Sequence, residues 1–188
     1  LKLLIIDNYD SFTFNLVQLV EQCGCYDYKV VKNDELLTSD LKEFDKILIS
    51  PGPGVAHEAG QLMEFLKENY TQKSILGICL GYEAIGELFD AKLSKLPNPL
   101  HGIQNMGLVV SNSNLFNGLP KEFKIGHYHS WIFYEDDIPS EMEIVLKDEN
   151  GLPMAISHCD FDVAGLQFHP ESIMTEYGKE MIGNWLNK

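Results

Sequence analysis

The sequence predicts an α/β fold: an open, mainly parallel central sheet flanked by helices, with a more antiparallel C-terminal part. Three observations carry this expectation. The first half alternates short apolar runs with amphipathic stripes at helical spacing, a pattern that sets parallel strands between helices. The second half replaces that alternation with short strand-like runs separated by turn signals. No linker, charge block or repeat interrupts the 188 residues, which predicts one domain over residues 1–188, a length suited to one substantial core.

The elements follow in order. Residues 3–6, "LLII", make the first strand, ended by the polar "DNYDS". From Phe12 the apolar residues Leu16, Leu19, Val20 and Cys23 mark one face of a helix, and Ser11 is placed as its N-cap. "YKVV" (28–31) and "KILIS" (46–50) read as strands, and "SPGPG" (50–54) breaks the backbone sharply. A helix is expected over residues 60–69, before the buried strand "SILGI" (74–78). Behind Cys79 another helix carries Ala84, Ile85, Leu88 and Phe89. The later strands are "GLVVSN" (107–112), "FKIGHYHSWIF" (123–133), "EIVLKD" (143–148), "PMAISH" (153–158) and "VAGLQFHPES" (163–172). Residues 176–187 close the chain as a helix with Met181, Ile182 and Trp185 on one side.

Composition narrows the function. Twenty-eight acidic against fourteen basic residues give a formal charge of −14, which argues against a phosphate backbone or an anionic membrane as the main partner. Of the four cysteines, Cys23 and Cys25 lie too close together to suggest a structural disulfide, and no second cluster completes a zinc site. Reduced thiols in the cytoplasm are expected. No apolar run approaches the roughly eighteen residues of a membrane span. The start "LKLLIIDNYD" runs into a strand pattern and not into a signal peptide.

Ligands of open parallel sheets bind beyond the carboxyl ends of the strands, where "DNYDS", "SPGPG" and "GICLG" (77–81) all fall. Cys79 sits between Gly77 and Gly81 at a strand-to-helix junction, the form of a nucleophile elbow. A helix N-terminus there would favour thiolate, and the Leu80 N–H would face a developing oxyanion. The motif alone leaves a buried core thiol equally open. In His169-Pro-Glu171, an extended segment would put both ionisable side chains on one face, where Glu171 orients the imidazole; a structural His–Glu pair is the plainer reading. "SPGPG" is either an ordinary turn or a backbone able to approach a substrate closely, with a free N–H. His127 and His129 form an i, i+2 pair able to chelate a metal, but lacking a third ligand they read as exposed strand residues. His57, His101 and His158 carry no motif and are taken as structural.

Together, and in this order, these pieces resemble a class I glutamine amidotransferase domain, most closely the glutaminase subunits of anthranilate synthase and aminodeoxychorismate synthase. The likeness rests on "DNYDSFTFNL" (7–16), "SPGPG", "GICLG", "LFNGLP" (115–120), "YHSW" (128–131) and "GLQFHPES" (165–172). It implies that Cys79 attacks the side-chain amide of L-glutamine while His169, oriented by Glu171, handles protons. It further implies that Leu80 and the segment Gly52, Pro53, Gly54 stabilise the oxyanion, and that Ser130 and Trp131 hold the glutamine backbone. Ammonia would pass to a chorismate-using synthase subunit, component I. No cofactor and no metal is implied for this chain. Tyr9 and Asp10 are the expected contacts with the partner.

The sequence also departs from the family. Gly81-Tyr82-Glu83 stands where the family has glycine-histidine-glutamine, Trp131 where it often has leucine, and Ala56, Asp90-Ala91 and His127 replace other usual residues. Glu83 occupies a substrate-contacting position, and an ionised carboxylate cannot supply the N–H donors of an amide. Against the substrate's α-carboxylate it would repel, and near the α-ammonium it would help; its charge would also oppose thiolate formation at Cys79. A glutaminase for another synthetase and a regulatory subunit without turnover are the alternative readings.

Overall fold

The structure, a computed structural model, describes residues 1–36 and 43–188. β1 (Leu3–Asp7) buries all five of its residues, and alternate side chains enter two different cores. Leu3 and Ile5 join Leu16, Val20, Met181 and Trp185 on one side; Leu4 and Ile6 join Leu62, Phe65, Ile85 and Phe133 on the other. A strand with period two thus reads as a continuous apolar run, because helices cover both faces. α1 (Thr13–Gln22) and α4 (Gly178–Leu186) cover the first face. α2 (Leu62–Asn69) and α3 (Leu80–Leu88) cover the second.

The remaining strands are β2 (Tyr28–Lys32), β3 (Lys46–Ile49), β4 (Ser74–Ile78), β5 (Leu93–Val109), β6 (Glu122–Phe133), β7 (Met142–Asp148), β8 (Pro153–His158) and β9 (Val163–Leu166). Among the described residues they form one sheet in the order β2-β1-β3-β4-β9-β8-β7-β5-β6. Pairing is parallel from β2 to β9 and antiparallel from β9 to β6. The expected fold class is the observed one. No helix among the described residues is long and apolar enough to cross a membrane.

Several local expectations are corrected. Ser11 does not cap α1: the residue before the helix is Phe12, without a side-chain cap. The Asp10 carboxylate accepts the Phe12 N–H at 2.7 Å, while Asp7 Oδ1 accepts from the Tyr9 N–H at 2.8 Å and the Thr13 hydroxyl at 2.9 Å. Two carboxylates, longer in reach than a serine hydroxyl, organise the turn. β5 begins fourteen residues before the expected strand at 107, because Pro97, Pro99 and Gly102 disguise it. The ladder to β6 accommodates them through register shifts between Lys95 and Leu100 and between His101 and Ile103. β9 stops at Leu166, so His169 and Glu171 lie on a turn and not on an extended strand, with the Ser172 N–H donating to the His169 carbonyl at 3.2 Å.

Candidate active site

The parallel strands end together, and their ends are tied. Asn8, just past β1, donates from its backbone N–H to Ser50 Oγ at 2.9 Å and from Nδ2 to the Ser50 carbonyl at 2.8 Å. This seats "DNYDS" against "SPGPG". A Cβ on Gly52 would stand 2.6 Å from both Asn8 Cβ and Leu80 Cδ2, so glycine lets three loops meet. One strand further, Cys79 has φ 53° and ψ −102°, a left-handed conformation uncommon outside glycine. A Cβ on Gly77 would lie 2.3 Å from the backbone of Gly81, so the bend closes only because residue 77 is glycine, while a Cβ on Gly81 would press on Ile49 at 3.0 Å. Cys79 thereby becomes the residue immediately before α3.

The cleft above these ends has a volume of about 350 Å³ and takes its walls from several segments. Asp10 and Phe12 come from the first loop, Gly52, Pro53 and Gly54 from the second, Cys79 and Glu83 from the elbow and α3, and Ser130 and Trp131 from β6, with His169 opposite. Glu171 lies behind His169, its Oε1 2.6 Å from His169 Nδ1. His169 Nε2 is buried and has no partner among the described residues, so the ring keeps one nitrogen for the cleft. Phe12 and Tyr128 wall the imidazole edge-on, with ring centroids at 5.7 and 5.0 Å. The Leu80 side chain is buried in the core, while its backbone N–H reaches the Cys79 sulfur. Tyr9 is outside the cleft, 56% exposed, and donates its hydroxyl to the Asp34 carboxylate at 2.9 Å.

Electrostatics in the cleft oppose a resting thiolate. Burial pushes the Cys79 thiol well above its ordinary pKa, and the nearby carboxyls of Glu83 and Glu171 add to the effect, outweighing the Leu80 N–H. Glu83 is itself buried, which raises its carboxyl to about 8 despite a hydrogen bond from Gln167.

Some residues sat outside the expectation. His127 and His129 are not exposed but buried, at 0% and 3%. His129 Nδ1 lies 2.8 Å from the Trp131 carbonyl, which only accepts, so His129 carries its proton there. Its bare Nε2 then accepts from His127 Nδ1 at 3.1 Å. Burial holds both rings neutral, with pKa values of about 4. The pair latches the strand at Trp131. Among the described residues, no group of three or more histidine, cysteine and acidic side chains is placed to hold a metal. His101, taken as structural, lines the cleft with Tyr128 and His129. Gln167 was also missed, although "GLQFHPES" contains it: wholly buried, it spans from Glu83 Oε1 at 3.1 Å to Cys79 Sγ at 3.9 Å.

The cleft thus brings together a buried cysteine on a strained elbow and a histidine held by a glutamate. The chain belongs to the glutamine amidotransferase class-I family, whose model matches residues 4–188. Its relatives are narrower. A Haemophilus influenzae protein named "Putative anthranilate synthase component II" is 43% identical, covering 99% of this chain and 96% of that one. "Anthranilate synthase component 2" of Saccharolobus solfataricus is 38% identical over 98% of this chain and 97% of its own. Among solved structures, a "putative gmp synthase subunit a protein" from Thermoplasma acidophilum superposes with a TM-score of 0.87 at 25% identity, covering 100% of this chain and 92% of that one.

Proposed function

We propose that this chain is the glutaminase subunit of an anthranilate synthase, hydrolysing L-glutamine through a cysteinyl thioester and delivering ammonia to a chorismate-aminating component I. The observation that carries it is Cys79 on its elbow in one cleft with His169, whose Nδ1 is held by Glu171 and whose Nε2 is free. The thiol is neutral at rest, so attack begins with proton transfer from Cys79 Sγ to His169 Nε2 as sulfur adds to the side-chain amide carbon. Glu171 orients the ring and stabilises the imidazolium. Negative charge on the amide oxygen is met by the Leu80 N–H and the backbone of the Gly52, Pro53, Gly54 segment. The carbon–nitrogen bond then breaks, and His169 returns the proton to the departing ammonia. Water, losing a proton to His169, attacks the thioester; the carbon–sulfur bond breaks, releasing glutamate and restoring the thiol.

Ser130 and Trp131, latched by the buried histidines, are placed to hold the backbone of glutamine, and Glu83 meets it from α3. Asp10 and the exposed Tyr9 are the contacts proposed for component I. The charge of −14 argues against nucleic-acid or anionic-membrane partners, and four unpaired cysteines suit a cytoplasmic subunit. A component I forming 4-amino-4-deoxychorismate would use the same ammonia; the relatives' names favour anthranilate. A regulatory subunit without turnover is the second reading, favoured by Glu83 in the cleft.

The test is ammonia release from glutamine with and without component I. Partner-stimulated release abolished by Cys79→Ser is the expected result, and release that survives Cys79→Ser would sink the proposal. Absence of release, restored by Glu83→Gln, would favour the regulatory reading. The amination product formed with each candidate partner distinguishes the two pathways.

A further inference from the structure

Glu83 is an unusual neighbour for a nucleophilic thiol. Only 3% of it is exposed, yet it lines the cleft beside Cys79. Its Oε1 accepts from Gln167 Nε2 at 3.1 Å, and the structure gives its other oxygen no hydrogen bond among the described residues. The same Gln167 nitrogen lies 3.9 Å from the Cys79 sulfur, so one amide separates the carboxyl from the reacting atom.

The groups around Glu83 supply no compensating charge. Cys79 and Glu87 flank it one turn away on either side. Gln167, just past β9, is uncharged; the cleft's other titratable lining is Asp10, an acid itself, His101, His129, held neutral by burial, and His169, engaged with Glu171, while His57 acts on Glu87. Among the described residues, no lysine lines the cleft. An ionised Glu83 would be buried without a cation, close to Glu87, and one amide from the thiol that must lose a proton.

In the glutaminase reading, on which this step rests, the cleft receives a ligand with acceptor oxygens at both ends, an α-carboxylate and an amide carbonyl. An ionised carboxyl would only accept and would repel them; a neutral one presents an O–H donor on the oxygen that Gln167 leaves free. We propose that Glu83 serves the site as a neutral carboxylic acid, its Oε1 accepting from Gln167 and its free O–H donating to an acceptor oxygen of the bound glutamine. A neutral acid and a primary amide have nearly the same shape and the same pairing of one acceptor with one donor. Glu83 can therefore present the pairing that an amide would, and its carboxyl makes that pairing sensitive to pH. Burial keeps the carboxyl protonated up to about pH 8. Above that, ionisation removes the donor and raises the barrier to thiolate formation together.

The test joins two measurements on the full chain. Carbon-13 NMR of glutamate side-chain carboxyls, assigned by comparison with Glu83→Gln, follows the proton on Glu83; ammonia release with component I follows kcat/KM. We expect one carboxyl resonance, absent from Glu83→Gln, to titrate at about pH 8. Wild-type kcat/KM is expected to be about tenfold lower at pH 9 than at pH 7, with no such fall in Glu83→Gln. A carboxyl that titrates in the ordinary range near pH 4, or an alkaline loss that Glu83→Gln retains, overturns the proposal. If no ammonia forms at any pH, the glutaminase reading falls, and glutamine binding followed by the same resonance decides this step. Tighter binding at pH 7 than at pH 9 supports the donor role; equal binding refutes it.

Discussion

At the residue scale, buried ionisable groups hold opposite pH dependences. Glu83 moves from an ordinary 4.5 to about 8 on folding, so between those values the unfolded chain gives up a proton that the folded chain keeps. Its contribution is complete below pH 4.5 and is lost as pH rises toward 8. At about 1.4 kcal/mol per pH unit, the deficit reaches about 3 kcal/mol by pH 7. Glu83→Gln is therefore expected to match the wild type in urea unfolding near pH 4.5 and to exceed it progressively as pH rises. A constant difference across that range would place Glu83's proton elsewhere. The residue itself was visible in the sequence as a departure from the amide expected there. Its partner Gln167 was not, because a glutamine inside an apolar strand run gives no periodic signal, and only the fold brings it to Cys79.

At the scale of elements, the elbow is the most constrained feature. A methyl on Gly77 would stand 2.3 Å from the backbone of Gly81, a gap that no side-chain rotation relieves. Gly77→Ala is expected to cost about 3 kcal/mol or more in stability and to abolish ammonia release, read by urea unfolding and an ammonia assay. Wild-type stability in that variant would mean that the turn is less tightly closed. The strands and helices of the parallel half were legible because each carries uninterrupted apolar pattern and clear turn residues. The early part of β5 was hidden for the opposite reason: Pro97 and Pro99 cannot donate to a ladder, and this segment is half-exposed or exposed throughout. His127 and His129 were misjudged because alternation alone cannot say which face of an edge strand is covered. Both rings find a partner within their own strand, although His127 Nε2 is left without one among the described residues.

At the scale of the whole molecule, the two histidines pull against Glu83. Each falls from 6.5 to about 4 on folding, so their contribution is present above pH 6.5 and is lost as acid carries the pH toward 4. Each withdraws about 3 kcal/mol across that window. Stability is expected to be greatest near pH 6.5, with Glu83 eroding the alkaline side and the histidines the acid side, as thermal unfolding over pH 4–9 would record. A monotonic curve would contradict this balance. The order of the sheet has a further consequence, for the chain as it is made. β9 follows every other strand in the sequence yet lies between β4 and β8, so the middle of the sheet waits until all the other strands have been synthesised. Chains ending after β8 are expected to leave two strand edges bare and to sediment as aggregates. Such chains would already contain Cys79 but not His169, which takes its proton in the mechanism proposed above. On that mechanism, an unfinished molecule on the ribosome would carry its nucleophile without a trigger and leave glutamine intact until β9 and His169 are in place.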